Sequence, residues 1–342
     1  MRLLSCFVGE RSGKPIFDNT KRIARLAYRY RYYQQVGFSA VGRIPVATML
    51  RSHFTFLMPE NSQPAHLTLE FTNYCNLKCP YCTNPLDIRM QGFMTQETFD
   101  LLVQQIREFG LKRVRVVGNG ESSLHPKFCE MIRELGRACT YLTMVTNGQR
   151  LRDNTMRAIL EAPVRLLEIS ADSDEKDGYE HMRIGGKFER LLSNLSRLRE
   201  LKQELGAPTL VNIRAMIRPS QLPRQAEILK FWSAYADTVI PQYLHDYTQG
   251  VFPDVFPHRQ DEGLIPRCSL PSKAMIVHYN GTVPLCELSQ RQTGMPDGLI
   301  VGDIHKTTLK EIWNSPLFRQ YREGHRKRDG VLTPICKGCV GG

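Results

Sequence analysis

His66-Leu67-Thr68-Leu69-Glu70-Phe71-Thr72 is followed two residues later by Cys75-Asn76-Leu77-Lys78-Cys79-Pro80-Tyr81-Cys82. The first stretch is an apolar alternating run, the period of a β-strand. The second carries three cysteines in a C-x3-C-x2-C spacing, so the thiols sit on the loop leaving the strand's C-terminal end. Three thiolates on one short loop can hold three irons of a cubane and leave the fourth open to a small molecule, whereas ordinary four-iron clusters take four cysteines. The alternative is structural zinc, which normally closes with four Cys or His ligands. The nearest histidine, His66, lies on the strand itself.

Working outward, strand and helix patterns alternate. Strands are expected at 66–71, 113–118, 141–146, 165–171, 210–217 and 238–244. Amphipathic helices are expected at Thr95–Phe109, Lys127–Arg137, Leu151–Glu161, Lys187–Glu204 and Leu222–Tyr235. In the first of these, Phe99, Leu102, Val103 and Ile106 share one face. Such alternation predicts a parallel sheet with helices outside it. Pattern alone does not separate an open doubly wound sheet from a barrel, but in both folds chemistry belongs at the strands' C-terminal ends.

The cysteine loop, with aromatic Tyr81 before the last thiol, resembles the signature of the radical S-adenosylmethionine (SAM) superfamily. The resemblance implies an α/β fold, a partial (β/α)6 TIM-like barrel with a small C-terminal auxiliary-cluster extension. It also implies a [4Fe-4S] cluster on Cys75, Cys79 and Cys82 whose open iron chelates SAM. One electron then yields a 5′-deoxyadenosyl radical that takes hydrogen from a substrate. Gly118-Asn119-Gly120-Glu121 after the second strand resembles the family's Gly-Gly-Glu motif, with Asn119 in place of a glycine. Gly120 and Glu121 are thereby expected at the SAM amino group, where a carboxylate suits an ammonium. By the same resemblance Tyr81, Asn147 and Ser170 are expected to contact SAM, and Arg183 to pair with its carboxylate. His245 and Asp246, after the sixth strand, are candidate acid–base residues or hydrogen-bonded packing.

After residue 260 the strand–helix rhythm stops. Met275–Tyr279 and Thr282–Leu285 flank Asn280-Gly281, which reads as a β-hairpin. Cys268, Gly281 and Cys286, then Cys336 and Cys339, resemble the SPASM and twitch extensions of radical SAM enzymes. Four cysteines rather than the larger SPASM set imply one auxiliary [4Fe-4S] cluster on Cys268, Cys286, Cys336 and Cys339, with zinc as the alternative. The domain reading is a basic, largely helical extension over 1–65, a barrel over 66–260 and the auxiliary-cluster extension over 261–342.

The chain has 342 residues, of which 42% are hydrophobic and 23% charged, as in a globular protein. It has no run approaching the roughly 18 apolar residues of a membrane helix. Its ten cysteines do not form a secreted disulfide pattern, and the expected compartment is the cytoplasm. Of the net charge of +12, residues 1–59 supply +8. A helix is expected over Lys21–Val36, where Arg29-Tyr30-Arg31-Tyr32-Tyr33 mixes cations with aromatics. That segment is open to an anionic substrate, nucleic acid or a membrane surface, the last two not favoured. The favoured function is radical SAM chemistry on a small sugar, aminocyclitol or nucleoside-type substrate, anionic or nucleotide-linked, with flavodoxin or ferredoxin as electron donor. Oxidation and carbon–carbon bond formation in natural-product biosynthesis are the net reactions in view. The alternatives are a radical peptide maturase and an RNA-modifying radical enzyme.

Overall fold

The computed structural model describes residues 62–87, 89–243, 268, 270–286 and 299–327. The expected helix at 21–36, together with His245, Asp246, Cys336 and Cys339, lies outside these residues.

All six expected strands form, as β1 (His66–Leu69), β2 (Arg113–Val116), β3 (Tyr141–Thr146), β4 (Val164–Ala171), β5 (Leu210–Ile217) and β6 (Thr238–Tyr243). They lie side by side in chain order, every pair parallel. A doubly wound sheet would reverse direction at a switch point. Here the winding never reverses, and right-handed crossovers therefore put every connecting helix on one face. This is the winding of an incomplete barrel.

The helices are α1 (Gln96–Phe109), α2 (Phe128–Ala138), α3 (Asp153–Glu161), α4 (Lys176–Met182), α5 (Phe188–Glu204) and α6 (Gln225–Trp232). Helices α1, α2, α3 and α5 pack in sequence as neighbours. Helix α1 starts where Thr95 Oγ1 accepts the Thr98 amide at 3.2 Å, and stops at Gly110, left-handed at φ 70°. The short α4 has no counterpart among the expected helices. The amphipathic run from Leu222 is helical only from Gln225, because Pro219–Arg224 forms a 3-10 turn with Pro223 inside it.

The two sheet faces differ sharply. Leu67, Leu69, Val114, Val116, Leu142, Met144, Leu167, Ile169 and Ile213 are buried under the helices, each contributing roughly 1.5–3 kcal/mol on burial. The opposite face carries His66, Thr68, Glu70, Arg115, Thr143, Glu168, Ser170, Asn212 and Arg214, which alternate with them along the strands. Several of these are only half-buried. Polar residues line the face that the helices leave open.

One expectation needs correction. Ala274–Val277 is not half of a hairpin but a seventh strand, β7, parallel to β1 with His66 opposite Ala274 and Leu69 opposite Val277. Without it β1 would be an edge strand, and all four β7 residues are buried. The Asn280-Gly281 turn does form, with Gly281 at φ 82° and its amide on His278 O at 2.9 Å. The chain then leaves as β8 (Thr282–Pro284), antiparallel to β9 (Ile300–Asp303).

Preceding β7 is α7 (Leu270–Lys273); following β9 are α8 (Leu309–Trp313) and α9 (Pro316–Lys327). Thr308 and Glu311 cap α8 reciprocally. Leu285, Leu299 and Tyr321 form a small core, with Val301 and Leu317 against it. Gln105 of α1 ties this segment to the barrel. Its buried amide donates to Ile304 O at 3.0 Å and accepts from Leu309 N at 2.8 Å.

Candidate active site

Cys75, Cys79 and Cys82 are free thiols on the loop after β1, Cys79 buried and the others half-buried. The loop is fixed from two sides. Cys82 N donates to Cys79 O at 3.0 Å, and Lys78 N donates to Ile184 O at 2.8 Å. Gly185, at φ 92°, lets the 183–186 segment approach so closely that a Cβ there would sit 3.0 Å from Asn76 O. Burial pushes the Cys75 thiol up to about 12 and the Cys79 thiol up to about 11, with the neighbouring thiols adding to the rise in each. Cationic metal must therefore displace the proton for these sulfurs to ligate. Among the described residues, no three of His, Cys, Asp and Glu converge to hold a single metal ion. Three thiols of one loop, near one another and partly open, are a donor set suited to a cluster.

Glu121, buried at the end of β2, joins this loop to β3. Its Oε1 accepts from Ser123 Oγ at 2.6 Å and Thr146 Oγ1 at 2.8 Å, and its Oε2 accepts from Asn147 N at 2.7 Å. Asn147 in turn donates through Nδ2 to Asn76 Oδ1 at 3.0 Å and approaches Cys75 Sγ at 3.9 Å. Gly120 packs against the chain just ahead of Cys75. A Cβ there would collide with Tyr74 O and stand 2.5 Å from Thr72 O. Gly120, Glu121, Asn147 and Cys75 are thus gathered at one place.

Tyr81 and Arg183 meet at a different partner. Both engage Asp172, the buried residue just beyond β4: Tyr81 Oη donates at 3.0 Å and Arg183 Nη2 at 3.1 Å. Arg183 Nε lies 3.0 Å from the second carboxylate oxygen, and the guanidinium stands over the Tyr81 ring. Burial, with Asp172 adding to it, holds the Tyr81 hydroxyl well above its ordinary range, so it remains a donor. Ser170 stands apart from these contacts on the helix-free face, opposite Arg214.

Sequence reading missed a buried network beneath the cysteine loop. Arg89 bridges Glu70, at 2.6 and 3.0 Å, and Asp87, at 2.6 and 2.9 Å. Asn119 Nδ2 donates to Asp87 at 2.7 Å, and Asn84 Nδ2 reaches Asn119 O at 2.6 Å and Asn73 O at 2.9 Å. Burial alone would raise the Glu70 and Asp87 carboxyls, but the Arg89 hydrogen bonds and charge together with the Asn119 hydrogen bonds outweigh it and hold both below normal. The one available signal was Glu70, a carboxylate in an otherwise apolar strand.

Comparison with known families agrees with this geometry. Residues 69–221 match the model described as the Radical SAM superfamily, and residues 268–340 match that of SPASM, an iron–sulfur cluster-binding domain. Residues 69–221 belong to the radical SAM superfamily, and a SPASM domain follows them. Its cofactors are a SAM-binding [4Fe-4S] cluster, SAM and an auxiliary iron–sulfur cluster. The zinc alternatives fall with that membership.

Among curated relatives of this radical SAM protein is the PqqA peptide cyclase of Gluconobacter oxydans, 31% identical over 126 residues, which are 36% of this chain and 34% of the relative. Another is the GTP 3′,8-cyclase of Microcystis aeruginosa, 31% identical over 153 residues, 42% of this chain and 43% of the relative. The chain thus spans about a third to two fifths of these relatives' lengths. Two solved structures share the fold. SuiB of Streptococcus suis bound to its precursor peptide SuiA has a TM-score of 0.62 at 13% identity, covering 92% of this chain and 74% of that one. BtrN in complex with AdoMet and 2-DOIA has a TM-score of 0.54 at 15% identity, covering 82% and 94%.

In the SPASM segment, Cys268 and Cys286 are half-buried and lie just outside the α7–β7–β8 unit, one at each end. Among the described residues no helix is long and apolar enough to cross a membrane.

Proposed function

We propose that this radical SAM protein is an enzyme that cleaves SAM reductively and abstracts hydrogen from a small polar substrate of sugar, aminocyclitol or nucleoside type. The observation that carries the reading is the joining of the three-thiol loop to Glu121 through Asn147, at the rim of a sheet face left open and polar. Cys75, Cys79 and Cys82 would hold the cluster, which would supply the electron for reductive cleavage of SAM. Glu121 and the backbone at Gly120 receive the SAM amino group, and Asn147 fixes both Glu121 and the loop. Tyr81 is held by Asp172 for the adenosyl moiety. Arg183 positions Asp172 and Tyr81 and would pair with the SAM carboxylate. Cys268, Cys286, Cys336 and Cys339 would hold an auxiliary four-iron cluster, which would suit acceptance of an electron from the substrate radical. The external donor is of flavodoxin or ferredoxin type.

A second reading, a radical peptide maturase, is favoured by the 31% identity to a peptide cyclase. The experiment is anaerobic reconstitution, dithionite reduction and chromatography for 5′-deoxyadenosine. Wild type is expected to hold about eight irons and cleave SAM, and the Cys75, Cys79 and Cys82 to Ala triple variant about four irons with no cleavage. Wild-type protein loaded with both clusters yet inert toward SAM overturns the proposal. Deuterium carried from a labelled sugar or nucleoside, rather than from a labelled peptide, into 5′-deoxyadenosine separates the two readings.

A further inference from the structure

The helix-free face holds charged groups that the SAM chemistry does not use. Glu168 of β4 is buried, its side chain 4% exposed, and it faces two arginines. Arg115 of β2 donates Nη2 to Glu168 Oε2 at 2.8 Å, and Arg214 of β5 donates Nε to Oε1. One carboxylate between two guanidiniums leaves a unit of positive charge. The two arginine side chains are 36% and 34% exposed, so both reach the open side of the face.

The donors outnumber the acceptors. Arg115 Nε is buried without a hydrogen-bond partner, and so is Asn212 Nδ2. Asn212 is 1% exposed, stands directly opposite Glu168 on β5, and its Oδ1 is taken by Thr238 Oγ1 at 2.9 Å. A purely structural Arg–Glu–Arg bridge would close on itself, since buried polar groups are normally paired. This one keeps a surplus of charge and of unpaired donors on β2 and β5, on either side of Glu168. The surroundings add to the positive field. Burial, then Arg115, Arg113 and Lys273, pushes His66 on the same face down to about 4.

We propose that Arg115, Arg214 and Asn212 form a subsite for an anionic group of the substrate, a carboxylate or a phosphate. This deepens the reading above and rests on the substrate lying against the helix-free face. The arginine forks suit either oxyanion bidentately. Glu168 holds both forks in place and tempers their charge, so that the anion is bound but released after turnover.

The test is calorimetric titration of the anaerobically reconstituted holoenzyme, at saturating SAM and constant ionic strength, with inorganic phosphate and separately with malonate. Wild type is expected to bind one of them, and which one distinguishes phosphate from carboxylate. Arg115→Gln and Arg214→Gln should each weaken that binding by about tenfold or more, the loss of a charge-assisted contact, and Glu168→Gln should tighten it. Binding equal in wild type and both arginine variants overturns the subsite, as does no binding of either anion to wild type. Should an arginine variant fail to fold, wild type alone still decides: phosphate or malonate must raise its melting temperature above that in chloride at equal ionic strength. Wild-type SAM cleavage, measured on the same preparation, tests the underlying reading separately. Cleavage without anion binding removes the subsite and leaves the enzyme reading standing.

Discussion

Gly120→Ala offers the sharpest test of how the SAM-binding loop is held. The added methyl would collide with the carbonyl oxygen of Tyr74, stand 2.5 Å from that of Thr72 and 2.7 Å from the carbonyl carbon of Asn73. These are backbone atoms, so no side chain can swing aside. Relief requires moving residues 72–74 by several tenths of an ångström or more, immediately before Cys75. Overpacking of this kind costs about 1–3 kcal/mol. The same shift strains the 2.7 Å bond from Glu121 N to Tyr74 O, worth roughly another 1 kcal/mol. Because Glu121 carries Thr146 and Asn147, the displacement passes to Asn76 and Cys75.

The expected outcome is a folded protein whose melting temperature drops by about 4–16 °C, at roughly 2–4 °C per kcal/mol. It should also lose the irons of the SAM cluster while keeping the auxiliary ones. The control is Gly206→Ala. Gly206 is left-handed at φ 55° with nothing within 4 Å of a built Cβ, so only the conformational penalty of about 1–2 kcal/mol applies. Anaerobic iron counts and thermal melts on the two variants make the comparison. A Gly120→Ala protein with full iron and the melting temperature of wild type would falsify the close-packing argument.

Glu121→Ala is expected to raise the SAM dissociation constant at least about tenfold, since an ammonium loses its carboxylate; an unchanged constant by calorimetry removes Glu121 from the SAM site. His66 should make stability pH-dependent. Its folded value of about 4 lies below the unfolded 6.5, so its contribution is complete above about pH 6.5 and is lost as pH falls toward 4, by roughly 3 kcal/mol at most. Urea midpoints from pH 7.5 to 4.5 should fall less in His66→Gln than in wild type, and parallel curves refute the assignment. Asn119→Gly should cost about 1 kcal/mol or more by freeing Asp87 from a 2.7 Å donor; a chemical-denaturation midpoint equal to wild type contradicts that tether.

Much of the fold was legible because each strand is short, apolar on one face and set off by an amphipathic helix. Every expected strand falls within a few residues of its place. The hairpin error has a physical cause. Met275–Val277 and Thr282–Leu285 show the pattern of paired strands, and Asn280-Gly281 makes the turn, but local sequence does not reveal that β1 has a free edge. Tertiary pairing decided the partner. At the site, the family resemblance singled out Cys75, Cys79, Cys82, Glu121 and Asn147, and the structure joins the cysteine loop to Glu121 through Asn147. Asp172, which joins Tyr81 to Arg183, was visible only as the last residue of a polar strand end. The Arg115–Glu168–Arg214 bridge was not readable at all, because its members are 53 and 46 residues apart and single charges in strands look like solvent-facing positions.

The Gly-Asn-Gly-Glu departure shows how such a network absorbs a substitution. Among the described non-glycine residues only Pro163 has positive φ, so Asn119 needs no glycine conformation. Its neighbours do need glycine, for lack of space: a Cβ on Gly118 would press into Glu70, and one on Gly120 into residues 72–74. Position 119 is therefore the member of the turn that can carry a side chain. Its amide N–H donates to Glu70 Oε2 at 2.9 Å, its side chain to Asp87 and its carbonyl accepts from Asn84. Through Arg89 these contacts close a ring under the loop that bears the cysteines. A glycine at 119 would preserve the turn's backbone hydrogen bonds and break the ring, so the asparagine adds rigidity at the point where the strand ends and the cluster loop begins.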